Sequence, residues 1–217
     1  MNSRYVILQN FCLPSEIEDE LKTLAISSLE PAMKVDRFEH LKILRKERVS
    51  WFEIASWFNQ FGFLFNRVGS INTYKIPETL EKEIIKFISS IDKDLEHGLS
   101  LRIQEIVDRQ MVPLHVDQTK TTSLVYPLRH NQSSPALTKF YQSTAPVRLG
   151  INNPNKCHEV DSFCIDNMPA LLDVTQIHSV EYLPESITPS DPRISLSLKW
   201  STLSFRQVYN MLSKHVH

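Results

Sequence analysis

From Ser100 to Trp200 the chain breaks into short runs of β-branched, aromatic and alternating residues, each closed by turn-forming residues. Ser100–Val107, Met111–Val116, Thr121–Leu128, Ala136–Gln142, Ala170–Gln176, Ser179–Leu183 and Arg193–Trp200 read as strands. Their separators include residues 130–135 (HNQSSP), 152–156 (NNPNK) and 184–192 (PESITPSDP). A chain punctuated this often cannot form long helices here and must bury its apolar residues between sheets. With only four glycines, its turns rest on Asn, Asp, Ser and Pro.

The first half follows a different period. After a short apolar run, Tyr5-Val6-Ile7-Leu8, Ser15 and Glu18 have the spacing of a capping box. Behind them Ile17, Leu21, Leu24 and Ala25 share one helical face. Ser50 and Glu53 repeat the cap pattern before Trp51, Phe52, Trp57, Phe58, Phe61, Phe63 and Phe65. An aromatic stripe of this kind is more often core than a substrate mouth. Pro77 suits the start of a helix, and Leu80, Ile84, Phe87, Ile88, Ile91 and Leu95 step on by threes and fours. Ser204 and Gln207 mark a closing helix. The expected architecture is α+β in a single domain over 1–217. Residues 1–98 form a mainly helical support with one opening strand, 99–201 the strand-rich core, and 202–217 the last helix. The helices pack outside a barrel or sandwich.

Lys and Arg number 24 against 25 Asp and Glu, a formal net charge of -1. That balance disfavours nucleic acid, whose phosphates call for a cationic surplus. The basic stretch from Lys34 to Arg48 is interleaved with Asp36, Glu39 and Glu47 and reads as a solvated helix face. Cys12, Cys157 and Cys164 form no CxxC pair, so buried or partly buried free thiols in a reducing compartment are expected. The N-terminus lacks the pattern of a signal peptide, and no run reaches the ~18–20 apolar residues of a membrane span. A cytoplasmic protein is expected.

His115 and Asp117 lie two apart in a strand, so imidazole and carboxylate project from one face, with Leu114 and Val116 on the other. That geometry suits two adjacent positions on one metal, although an isolated HxD is common. A third ligand must come from His130, His158 or His178. His130 and His158 sit in polar segments, while His178 lies where a strand end can present it to an interior. Alone, each reads as an ordinary core or surface histidine. In Arg193–Trp200, Ile194, Leu196, Leu198 and Trp200 alternate with Arg193, Ser195, Ser197 and Lys199. If the polar face points inward, Arg193 is an interior cation that needs an anion, and its planar fork suits a carboxylate. If the strand is an edge, Arg193 is a surface arginine.

The ordered set is His115, Asp117, His178 about sixty residues on, then Arg193-x-Ser195 fifteen later. It resembles the Fe(II)/2-oxoglutarate-dependent dioxygenases, especially the prolyl-hydroxylase-like branch, over roughly residues 100–200 plus an entry strand and helix at Val6–Leu21. Two His and one carboxylate on one face of iron also mark non-haem Fe(II) oxygenases more generally. The resemblance implies a double-stranded β-helix (a jelly-roll or cupin-like barrel) with N-terminal supporting helices. It implies Fe(II) on His115, Asp117 and His178, and 2-oxoglutarate anchored by Arg193 and Ser195. Gln104, Arg102 and Tyr126 would stand near cosubstrate or substrate. The implied reaction is an O2-dependent oxidation, releasing succinate and CO2, of a small-molecule or peptidyl substrate. Because Asp117 is retained, hydroxylation is favoured over halogenation. Two alternatives stay open: a cupin-type metal enzyme that needs no 2-oxoglutarate, and an inactive barrel used for binding or structure. No motif identifies the substrate or the oligomeric state.

Overall fold

The computed structural model describes residues 3–27, 71–74, 76–106, 112–117, 119–129, 136–147, 150–152, 154–164, 168–182 and 193–213. The aromatic run at 51–65, the basic stretch at 34–48, His130 and the segment 184–192 lie outside them. In chain order the elements are β1 (Tyr5–Ile7), α1 (Ser15–Ser27), β2 (Ile71–Tyr74), α2 (Glu78–Ile91) and a 3-10 turn at Lys93–Glu96. There follow β3 (Leu99–Ile106), β4 (Val112–Val116), β5 (Thr122–Arg129), β6 (Ala136–Ser143) and β7 (Gly150–Ile151). The chain continues through β8 (Cys157–Cys164), β9 (Ala170–Asp173), β10 (Ile177–Tyr182), β11 (Arg193–Trp200) and α3 (Phe205–Ser213).

Two antiparallel sheets result. The larger has the order β1-β9-β5-β11-β3-β2 and the smaller β7-β4-β10-β6-β8. From β3 to β6 the chain crosses between the sheets at every strand, and from β8 to β11 it does so again. That alternation is the double-stranded β-helix, or jelly roll, in which paired hairpins wrap into two facing sheets. The expected fold class is therefore observed.

β11 shows why the layers form. Its Ile194, Leu196, Leu198 and Trp200 are buried against Ile17, Leu21 and Ala25 of α1, Leu80, Ile84 and Ile88 of α2, and Val208 and Leu212 of α3. Each such burial contributes on the order of 1.5–3 kcal/mol, so the helices cover the outer face of the larger sheet. The Trp200 indole N–H donates to the Leu95 carbonyl at 2.7 Å, tying the end of β11 to the turn behind α2. By alternation the polar residues of β11 then face the space between the sheets. Part of that space is closed by Val125, Phe140, Phe163, Ala170, Leu172 and Val174, with Tyr5 stacked on Phe163 at 4.0 Å between ring centroids.

Several expectations need correcting. β8, expected as a polar loop, is a strand; among the described residues it pairs with β6 alone, and it faces solvent along much of its length, so it lacks the alternation of a half-buried strand. β2 also forms, added to β3 at the edge of the larger sheet. The strand expected at 170–176 stops at Asp173, whose carboxylate accepts from the Thr175 N–H at 3.1 Å and folds the chain into a turn. β10 consequently begins at Ile177 and takes in His178. α1 begins at Ser15 itself, and the Glu18 carboxylate is drawn to Lys22 and Tyr126 rather than back to a cap. At α3 the reciprocal cap does form: Ser204 N–H donates to Gln207 Oε1 at 2.9 Å and Gln207 N–H to Ser204 Oγ at 3.4 Å. Cys12 is exposed rather than buried; Cys157 and Cys164 are partly buried, and none of the three forms a disulfide. Among the described residues no helix is long and apolar enough to cross a membrane.

Candidate metal centre

β4 and β10 are neighbours in the smaller sheet, and their register sets His115 directly across from His178. Leu114, Val116 and Ile177 are buried together on the opposite face of this sheet. Strand alternation then sends both imidazoles into the interior, where their ring centroids lie 4.2 Å apart. Asp117 follows the last residue of β4, and its N–H donates to the Val174 carbonyl at 3.1 Å, holding it beside the two rings. His115 Nε2 is 3.4 Å from Asp117 Oδ1. One ligand atom from each of His115, Asp117 and His178 falls within 4.8 Å of the others, a cluster able to hold a metal ion.

The chemistry of the three groups suits that task. His178 Nδ1 lies 2.9 Å from the Gln176 carbonyl, which can only accept, so the proton sits on Nδ1 and Nε2 keeps its lone pair. Burial, aided by His115, pushes the His178 pKa down to about 3, so the imidazole is neutral at physiological pH. Burial alone raises the Asp117 pKa. The Lys199 ammonium, the hydrogen bond from His115 and the positive potential of the histidines outweigh it and hold the carboxyl well below the usual range. Above about pH 3 His178 is uncharged, so Lys199 carries most of that effect; its Nζ lies 2.9 Å from Asp117 Oδ2. Two imidazoles and one carboxylate form a mixed N,N,O donor set that suits a divalent first-row transition metal.

Lys199 went unassigned in the sequence, although its place in the Arg193–Trp200 alternation carried the signal. Its contact with Asp117 fixes the inward face of β11: Lys199, Ser197, Ser195 and Arg193 line one polar strip. Ser197 Oγ lies 3.3 Å from Ser123 Oγ within it. Arg193 is 7% exposed, so it is an interior and not a surface arginine. Its Nη1 is buried and donates no hydrogen bond, while the guanidinium is engaged through other atoms. Ser195 is likewise buried, and Gln104 stands opposite it on β3, partly buried. Arg102 stands opposite Ser197.

Tyr126 does not join them. It belongs to the cluster under the helices, packs edge-on to Phe11, and donates its hydroxyl to Glu18 Oε2 at 2.8 Å. Leu124, Tyr126 and Leu128 occupy the helix side of β5, while Ser123 and Val125 occupy the interior, so a tyrosine at this even-numbered position faces away from the metal centre. His158, the rejected third ligand, is exposed on β8.

No protein-family model and no curated protein matches the sequence. Among solved structures, a prolyl-4-hydroxylase of Pseudomonas putida is similar at 12% identity and TM-score 0.47, covering 94% of this chain and 95% of that one. SnoN, a non-haem α-ketoglutarate-dependent epimerase from nogalamycin biosynthesis, is similar at 10% identity and TM-score 0.49, covering 92% and 77%. HygX of Streptomyces hygroscopicus, solved with nickel, 2-oxoglutarate and hygromycin B, is similar at 8% identity and TM-score 0.47, covering 92% and 83%.

Proposed function

We propose that this chain is an Fe(II)/2-oxoglutarate-dependent oxygenase that uses O2 to hydroxylate a C–H bond of a small-molecule or peptidyl substrate. The observation that carries the reading is a metal-competent His115, Asp117 and His178 cluster facing the same interior as a buried Arg193. His115, Asp117 and His178 would hold the metal, with one ligand atom from each. Fe(II) bound there supplies oxidising power by coupling O2 reduction to decarboxylation of 2-oxoglutarate, with succinate and CO2 released.

The residues of the chain bind, orient and exclude water. Gln176 fixes the His178 tautomer so that Nε2 faces the ion. Lys199 occupies one oxygen of Asp117, leaving the other for the metal. Arg193 and the Ser195 hydroxyl receive the distal carboxylate of 2-oxoglutarate, the guanidinium through a two-pronged contact and the hydroxyl through one hydrogen bond. Gln104 faces the same cosubstrate from β3. Phe140, whose ring lies 6.1 Å from that of His178, keeps the far side of the centre apolar. A reducing, cytoplasmic setting fits three cysteines that form no disulfide.

The test is anaerobic addition of Fe(II) and 2-oxoglutarate. The expected result is a weak visible charge-transfer band from the intact protein, lost in Asp117→Ala and lost or weakened in Arg193→Ala. A protein that binds Fe(II) but gives no band is a metal barrel without this cosubstrate. A protein whose iron content is unchanged in His115→Ala and Asp117→Ala refutes the metal centre itself.

A further inference from the structure

We infer that the substrate oxidised at this centre carries an acid group, a carboxylate or a phosphate, which docks on Lys120 and Arg102 beside Asp117; this rests on the function proposed above. The crossover from β4 to β5 begins at Asp117 and passes through Lys120 before Thr121, whose N–H donates to the Trp200 carbonyl at 2.9 Å. That bond brings Lys120 to the end of β11, where Lys199 reaches Asp117. Arg102 enters from β3, opposite Ser197 and two residues from Lys199 along the strip. The backbone thus sets Lys199, Lys120 and Arg102 at one edge of the metal centre; Arg102 is exposed there, and its Nη1 donates to the Leu101 carbonyl at 2.6 Å.

Among the described residues, the charged groups that act on Lys120 are Lys199, Arg102 and Asp117. Asp117 is the sole acid of that group, and it is committed to Lys199 and to the metal. Like charges at close quarters cost free energy, so such a cluster stands where an incoming anion relieves it. Burial and the two neighbouring cations lower the Lys120 pKa, as expected of a crowded ammonium. The distal carboxylate of 2-oxoglutarate is assigned to Arg193, which lies six residues from Lys199 along β11, roughly 20 Å between Cα atoms at strand rise, and four from Ser197, the residue opposite Arg102, roughly 13 Å. Lys120 and Arg102 are thus separate from that anchor. The chain net charge of -1 favours a small acid over a nucleic acid as the partner of these cations.

The probe is Mn(II) in place of iron, with saturating 2-oxoglutarate, titrated with inorganic phosphate and separately with carboxyl-13C acetate. Nuclei held near Mn(II) relax faster, so a docked anion shows saturable broadening of its 31P or 13C line. We expect broadening by at least one of the two, identifying the acid, with affinity about tenfold weaker in Lys120→Gln and in Arg102→Gln and retained in Lys120→Arg. Three results each overturn the inference: no saturable broadening by either anion, equal affinity in Lys120→Gln, or broadening that appears only as 2-oxoglutarate is displaced. The electron paramagnetic resonance spectrum of Mn(II) reports separately on the parent reading, since a free-ion spectrum with intact protein means the metal centre has failed. In that case phosphate-dependent thermal stabilisation of the metal-free chain, compared with Lys120→Gln, still decides whether the cation site exists.

Discussion

Replacing Tyr126 by Phe isolates the question of which face of the larger sheet looks at the metal. The ring is 5% exposed and its hydroxyl donates at 2.8 Å to Glu18, so Phe leaves no cavity and deletes one hydrogen bond to a charged group. Such bonds contribute about 1.5–3 kcal/mol. Glu18 keeps Lys22 and has a quarter of its side chain in solvent, so the loss lies toward the low end, about 1–2 kcal/mol. For a chain of this length that lowers Tm by roughly 2–8 °C. Burial raises the Glu18 pKa, but its bonds to Lys22 and Tyr126 outweigh that and lower it. The stability from this contact is therefore present above the ordinary glutamate value and is lost as pH falls through the lowered one. Tyr126, whose pKa is raised by burial and by Glu18, stays a donor throughout. Urea melts of wild type, Tyr126→Phe, Glu18→Gln and the double variant give the coupling energy, which shrinks at acid pH. The affinity for 2-oxoglutarate, read from the Fe(II) charge-transfer band, stays within about twofold of wild type. Unchanged stability with lost 2-oxoglutarate binding would refute the face assignment and return Tyr126 to the cosubstrate.

Three further outcomes follow from the same geometry. His178 has a folded pKa of about 3 against an ordinary 6.5, so the unfolded chain binds the extra proton between them; metal-free stability should fall by up to about 4–5 kcal/mol as pH drops through that window. A pH series of melts shows this loss, and His178→Gln flattens it. Lys199→Met strips Asp117 of its ammonium partner and should cost the metal-free protein about 2–4 kcal/mol, partly recovered by adding Mn(II) or Fe(II), since the cation replaces the lost charge. No recovery on metal addition would count against Asp117 as a ligand. Gly98 has φ of +69°, and a Cβ there would meet Ser201 Oγ and Thr202 Oγ1 at 2.7 Å; Gly98→Ala should cost about 1–2 kcal/mol by thermal melt without changing metal affinity.

Alternation and punctuation are local properties, and they made much of the barrel legible. β11 is read from Arg193 to Trp200 without error because its two faces differ so sharply in polarity. α2 is read from Pro77 onward because Leu80, Ile84 and Ile88 repeat at helical spacing. β8 and β2 escaped because edge strands are held by backbone hydrogen bonds on one side and leave little mark on side-chain polarity.

Residue by residue, the sequence determined that His115 and Asp117 share a direction, that Arg193 and Ser195 share another, and that the second half is sheet. It did not determine which way either face points. That was decided when α1, α2 and α3 buried the apolar side of β11, since a sheet face can be covered only once. Its polar side then had to look at β4 and β10, and only there does Lys199 meet Asp117 and His115 meet His178. The same constraint turned Tyr126 outward. Direction along a strand is encoded locally; the choice of interior is a global packing decision, made by whichever face buries more apolar surface.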